Sequence, residues 1–197
     1  MSNYCRVLSY AILAVLLCAC GKGMPDGSND SVPAKNLSGE SARQWMALVY
    51  DHVRDEGLSP PVASRTYAYA GIMLYEATLG GMEGFRTLQD QLTDFQGLPL
   101  VDDSQPRYDW VVVSATAMAT LLPEFFVEID TFEAIRTLQD TQIKARQTEA
   151  DLSSEVVNRS RQLGADMGIA VLNWIDDDGY AAVHDLPFSP SGGENGR

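Results

Sequence analysis

The sequence predicts an all-α protein: one helical domain of about five helices, preceded by a signal peptide and a flexible tether. Three observations carry this. Apolar residues recur at three- and four-residue steps along most of the chain. The most apolar runs, around Thr66–Ala77 and Trp110–Leu122, are longer than ordinary strands and shorter than membrane spans. Gly57, Ser59-Pro60-Pro61, Gly80-Gly81 and Pro123 fall between the runs, where helices start and stop.

The first element is not part of the fold. Arg6 precedes an apolar run from Val7 to Ala19 that closes on Leu17-Cys18-Ala19-Cys20-Gly21. A short positive start, an apolar stretch of about 7–15 residues and small residues at a cleavage point make a signal peptide. Leu17 and Ala19 stand third and first before Cys20, which resembles the lipobox of bacterial lipoproteins. That resemblance implies diacylglycerol transfer to the Cys20 thiol and cleavage before it, so residues 1–19 are read as signal. Cutting after Ala19 without lipidation is the alternative. Gly21, where an Asp would resemble an inner-membrane retention signal, favours the outer membrane of the cell envelope.

Composition agrees with this reading. Cys5, Cys18 and Cys20 are the only cysteines, so a chain cut before Cys20 keeps no thiol for a disulfide, and its stability must come from packing. Removing the signal leaves about 178 residues, enough for one domain with a real core. Fourteen Lys and Arg against 27 Asp and Glu give a net charge of −13. That sign repels phosphate backbones and anionic headgroups, which argues against nucleic-acid binding and leaves membrane attachment to the lipid.

Residues 20–39 hold the candidate lipidated cysteine and then Gly, Ser, Pro, Asn, Asp and Lys with almost no large apolar side chain. Such a stretch cannot offset the entropy of ordering and is expected to be a tether. The domain is expected over 40–180. Trp45, Leu48, Val49, His52 and Val53 mark the first helix, ended by Gly57. Ser59 is the expected N-cap of the second, with two prolines in its first turn. From Thr66 to Ala77 the second helix is apolar nearly all round, so it is expected to be buried.

Gly80-Gly81 stop it, and a Gly-, Gln- and Asp-rich loop follows to Pro106. Trp110–Leu122 carries no charge and opens with three valines; its length and its Ala-Thr-Ala-Met-Ala continuation favour helix over strand. Phe125, Ile129, Phe132, Ile135 and Leu138 give the stripe of a fourth helix beginning after Pro123. In the fifth, Val156, Ser160, Leu163, Gly164, Met167, Gly168, Val171, Leu172 and Ile175 recur regularly, and Ser160, Gly164 and Gly168 would let another helix approach closely. Arg136-Thr137-Leu138-Gln139-Asp140 repeats Arg86-Thr87-Leu88-Gln89-Asp90, but too little upstream matches to mark a duplication.

Candidate chemistry is sparse. His52 and His184 lack further ligands at metal spacing, and His52 on an apolar face reads as a hydrogen-bonded core histidine. Asp176-Asp177-Asp178-Gly179 suggests a calcium loop, yet Trp174 would occupy the first ligand position and Asp185 the twelfth, so the triad reads as a solvated helix end with Gly179 as C-cap. Arg65 and Glu76, almost the only charges in the second helix, lie about 16 Å apart along its axis and need partners elsewhere. No catalytic residue, metal ligand or cofactor ligand is assigned.

Leu58-Ser59-Pro60-Pro61-Val62-Ala63-Ser64-Arg65-Thr66-Tyr67-Ala68-Tyr69-Ala70, then Leu74-Tyr75-Glu76-Ala77, resembles the N-terminal helical region of bacterial vanadium-dependent haloperoxidase-like proteins of the type 2 phosphatidic acid phosphatase superfamily. Leu88, Gln91-Leu92, Leu98-Pro99 and Trp174 with Asp178-Gly179-Tyr180 extend the likeness from about Trp45 to Tyr180. The resemblance implies that the vanadate or phosphate pocket lies further along, in Arg-Pro and Pro-Ser-Gly-His segments that aim cations and backbone donors at an oxyanion. This chain has no Arg-Pro pair, and Pro190-Ser191-Gly192 is followed by Gly193. Residues 181–197 are expected to be an irregular tail, and the whole a truncated frame lacking the catalytic half. The alternative is a self-sufficient helical lipoprotein that binds a protein partner at the envelope.

Overall fold

The computed structural model describes residues 31–101 and 107–183; the expected signal peptide, Cys20, His184, Asp185 and Pro190-Ser191-Gly192 lie outside the described residues. Five helices, α1 (Glu40–Asp55), α2 (Pro60–Leu79), α3 (Trp110–Leu121), α4 (Ile129–Glu149) and α5 (Ser154–Asp176), are followed by the single turn α6 (Tyr180–Val183). No strand occurs among the described residues.

Helix α1 buries Trp45, Val49 and Val53 at four-residue steps. Gly57, at φ +65°, then turns the chain left-handed, and Leu58 N–H and Gly57 N–H close onto the Val53 and Arg54 carbonyls. Ser59 stands at the N-cap of α2 with extended backbone, but its hydroxyl makes no capping bond. Pro61 contributes to this, since it removes the second-position N–H, one of the two that a cap hydroxyl serves.

Helix α3 is a helix, as its length predicts, capped by the Asp109 carboxylate accepting from Val112 N–H. It runs through the middle of the domain with every residue from Val112 to Met118 buried. Helix α5 lies closest to it. A Cβ on Gly164 would come within 2.3 Å of the Val113 carbonyl oxygen, and one on Gly168 within 2.6 Å of Thr120 Cβ. The expected close approach at these glycines is therefore present, and Ser160 Oγ on the same stripe accepts from Asp109 N–H at 2.9 Å.

Three expectations need correction. The fourth helix does not take in Phe125. After a 3-10 turn at Leu122–Glu124 it begins at Ile129, which is 69% exposed, while Phe125 and Phe126 are buried in the preceding turn. Phe125 stacks on Tyr69 and Phe126 meets His52 edge-on, contacts that take both out of helical phase. Helix α2 is not enclosed all round: Pro61, Ser64, Ala68 and Gly71 face solvent.

Nor is the tether loose up to Gly39. Ala34–Asn36 form a 3-10 turn docked on the domain, with Ala34 N–H donating to the Gly81 carbonyl at 2.7 Å and Leu37 packed against the core. Gly80 and Gly81 make the notch for it, because a Cβ on either would strike the Trp110 ring. The repeated Arg-Thr-Leu-Gln-Asp segment lies in a loop at 86–90 and in helix α4 at 136–140, so the echo marks no structural repeat.

Candidate functional site

The charged residues singled out in α2 lead to the main polar cluster. Helix α2 runs antiparallel to α5, which brings Arg65 in the second turn of α2 beside Asp178 just past the end of α5. Arg65 Nε donates to Asp178 Oδ2 at 2.9 Å, and both side chains are only 17% exposed. The guanidinium also lies over Tyr180 at 4.2 Å, Tyr69 at 5.1 Å and Phe125 at 5.5 Å from the ring centroids, where cation–π attraction adds to the ion pair. Tyr69 Oη donates to the same Asp178 oxygen at 2.7 Å, and Tyr180 N–H donates to the other.

Asp178 is exposed as a residue, like Asp176 and Asp177, yet its carboxylate is not left to solvent, because Arg65 and Tyr69 both donate to it. Gly179 is not the C-cap expected of it: α5 closes at Asp177, and Gly179 makes a left-handed turn, at φ +79°, two residues further on. Burial raises the Asp178 carboxyl, but the Arg65 and Tyr69 hydrogen bonds, the Tyr180 N–H and the Arg65 charge together hold it below the ordinary carboxylate range. Burial, then the adjoining carboxylate, pushes the Tyr69 hydroxyl up to about 12, so it remains a donor at neutral pH.

Beside this cluster an open cleft of about 620 Å³ is floored by Leu92, Ala170 and Trp174 and edged by Asp94, Asn173 and Asp177. Its wall is the 82–101 loop, which is a packed element. Phe95 is fully buried against Trp174, whose Nε1–H donates to the Thr93 carbonyl. Glu76, 2% exposed, anchors the loop's other arm by accepting from Leu88 N–H at 2.6 Å and Thr87 Oγ1 at 3.0 Å. So Arg65 and Glu76 both find partners within the chain, one on the end of α5 and one in the loop. Reading by composition missed Tyr69, Phe95 and this loop. Leu88, Leu92, Phe95 and Leu98, at three- and four-residue spacing inside a Gly- and Asp-rich stretch, were the available signal.

His52 is half-buried, with Nδ1 3.0 Å from Thr131 Oγ1. The Thr131 hydroxyl donates to Glu56 Oε1 at 2.6 Å, so it accepts from an Nδ1–H of His52. This ties α1 to α4 and fits a core histidine. At the opposite end of the bundle Asp109, 2% exposed at its side chain, accepts from Arg146 Nη2 at 2.7 Å. That hydrogen bond, ahead of the charge itself, raises the Arg146 pKa against its burial. Among the described residues no group of three or more His, Cys, Asp or Glu could hold a metal ion, and no helix is long and apolar enough to cross a membrane.

No family model matches this sequence, and no curated protein does. Among solved structures the fold is similar to the one described as the first bacterial vanadium-dependent iodoperoxidase, with a TM-score of 0.64 and 21% sequence identity. The superposition covers 76% of this chain and 35% of that one. The helical fold is haloperoxidase-like, and the chain spans about a third of the length of that protein.

Proposed function

We propose that this chain is a lipoprotein of the cell envelope, anchored through Cys20, whose helical domain is the framework region of a haloperoxidase-like protein and has no oxidase or phosphatase activity by itself. The observation that carries the reading is the fold likeness over three quarters of this chain but about a third of the iodoperoxidase. The polar groups support it. Arg65, Arg146 and Arg159, with side chains only 14–17% exposed, are each committed to a carboxylate, whereas an oxyanion pocket needs donors aimed at a vacant site. Vanadate or phosphate would then be held by a catalytic half that packs on the apolar helix faces.

Two measurements test this. The purified mature chain should neither oxidise bromide or iodide with peroxide and vanadate nor hydrolyse a phosphomonoester; turnover that survives repurification overturns the framework reading. Cys20→Ser should abolish processing or release the protein from the membrane fraction, and a cleaved mutant that still fractionates with membranes overturns the anchor.

A second reading, a self-sufficient module that binds a protein partner, is favoured by one observation: α3 is already enclosed within this chain. A module should melt in one sharp transition without binding a hydrophobic dye, as single domains of this size do. A framework half should bind the dye and gain stability when a catalytic half is supplied.

A further inference from the structure

We infer that the end of the bundle where α2 finishes and α3 begins rests on the lipid surface, with Phe85 and Leu100 as its apolar contacts. This builds on the lipidated-Cys20 reading and adds to it which face of the domain meets the bilayer. The docked N-terminal segment places the root of the anchor at this end. Ser31 Oγ accepts from Tyr108 N–H at 2.7 Å and Ala34 N–H is bonded to Gly81, so the chain leading back to Cys20 departs from beside Gly81 and Trp110. Eleven Cα steps separate Ser31 from Cys20, at most about 40 Å of chain. The far end of the bundle lies another 30 Å or so away along the 20 residues of α2.

Both arms of the 82–101 loop return to that same end. Tyr75 Oη donates to the Arg86 carbonyl at 2.7 Å, placing Phe85 beside the last turns of α2. A Cβ on Gly80 would lie 2.9 Å from Val101 Cγ2, placing Leu100 at the notch. Phe85 is 62% exposed and Leu100 89% exposed. Two large apolar side chains held out beside the root of a lipid anchor lose little by entering an interface and gain from leaving water. Val127, 80% exposed, is the control at the other end, where its N–H is fixed by Glu56 at the close of α1.

The test uses the mature acylated protein in phosphatidylcholine vesicles with or without brominated acyl chains. Phe85→Trp, Leu100→Trp and Val127→Trp each add one indole at an exposed position, and the wild-type emission is subtracted. The Phe85→Trp and Leu100→Trp variants should lose added emission in brominated vesicles, and Val127→Trp should not. Vesicle-bound, acylated protein with no quenching at either loop position, or with more at Val127→Trp, overturns the assigned face while leaving the anchor standing. A mature mass without an acyl group overturns the anchor and this inference together.

Discussion

Helices α2 and α3 are both charge-poor, α2 holding only Arg65 and Glu76 and α3 no charge at all, and both read from their sequences as buried. Yet Val112 to Met118 of α3 are buried without interruption, whereas α2 turns Ser64, Ala68 and Gly71 to solvent. What separates them is the number of neighbours. Helix α3 is flanked by α1, α2, α4 and α5, and the glycines of α5 bring its backbone against α3. Helix α2 has α1, α3 and α5 as neighbours, and otherwise only the 82–101 loop, the turn at Phe125 and the residues just past α5 to extend its cover. An apolar helix without a polar face states that burial is possible, and its partners decide how much is realised.

Truncating side chains in the two helices should expose that difference most strongly. Met118→Ala in α3, at a fully buried site, should cost about 2–5 kcal/mol by urea unfolding. Ile72→Ala in α2, at a half-buried site, should cost well under half of that, because water already reaches the position. Equal losses would mean that α2 is covered in solution by something outside the described residues.

The glycines give a contrast of opposite sign. Gly164→Ala drives a methyl into the Val113 carbonyl of α3, and should lose about 1–3 kcal/mol because backbone has to move. Gly71→Ala meets nothing within 4 Å, and should gain about 0.4–1 kcal/mol from helix propensity and a less disordered unfolded chain. A loss at Gly71→Ala in the isolated chain, read as a lower melting temperature, would show that the open face of α2 is occupied.

The smallest effect lies where α2 meets α5. Because the Asp178 carboxyl sits below the unfolded carboxylate value, its stabilisation is present at neutral pH. It is lost as pH falls below about 4 and through the folded value. Wild type should therefore be more stable than Asp178→Asn near pH 7, with the gap closing in acid. A gap independent of pH would mean that the Arg65 contact is held by shape and hydrogen bonding rather than by charge.

The helical class, the order of the elements, the choice of helix at Trp110–Leu121 and the small stripe of α5 that admits α3 are all legible in the sequence. Each follows from local rules: periodicity, length, and the space a missing Cβ leaves. The likeness to haloperoxidase-like proteins was also legible, in the order of the residues around Pro60–Ala77. Tertiary structure alone decided the rest. It gave Arg65 a partner 113 residues away in Asp178 and anchored Glu76 to the loop. It pulled Phe125 and Phe126 out of α4 and docked Ala34–Leu37 in the Gly80-Gly81 notch. These outcomes depend on contacts between segments remote in sequence, and neither composition nor periodicity encodes which remote surface a side chain will meet.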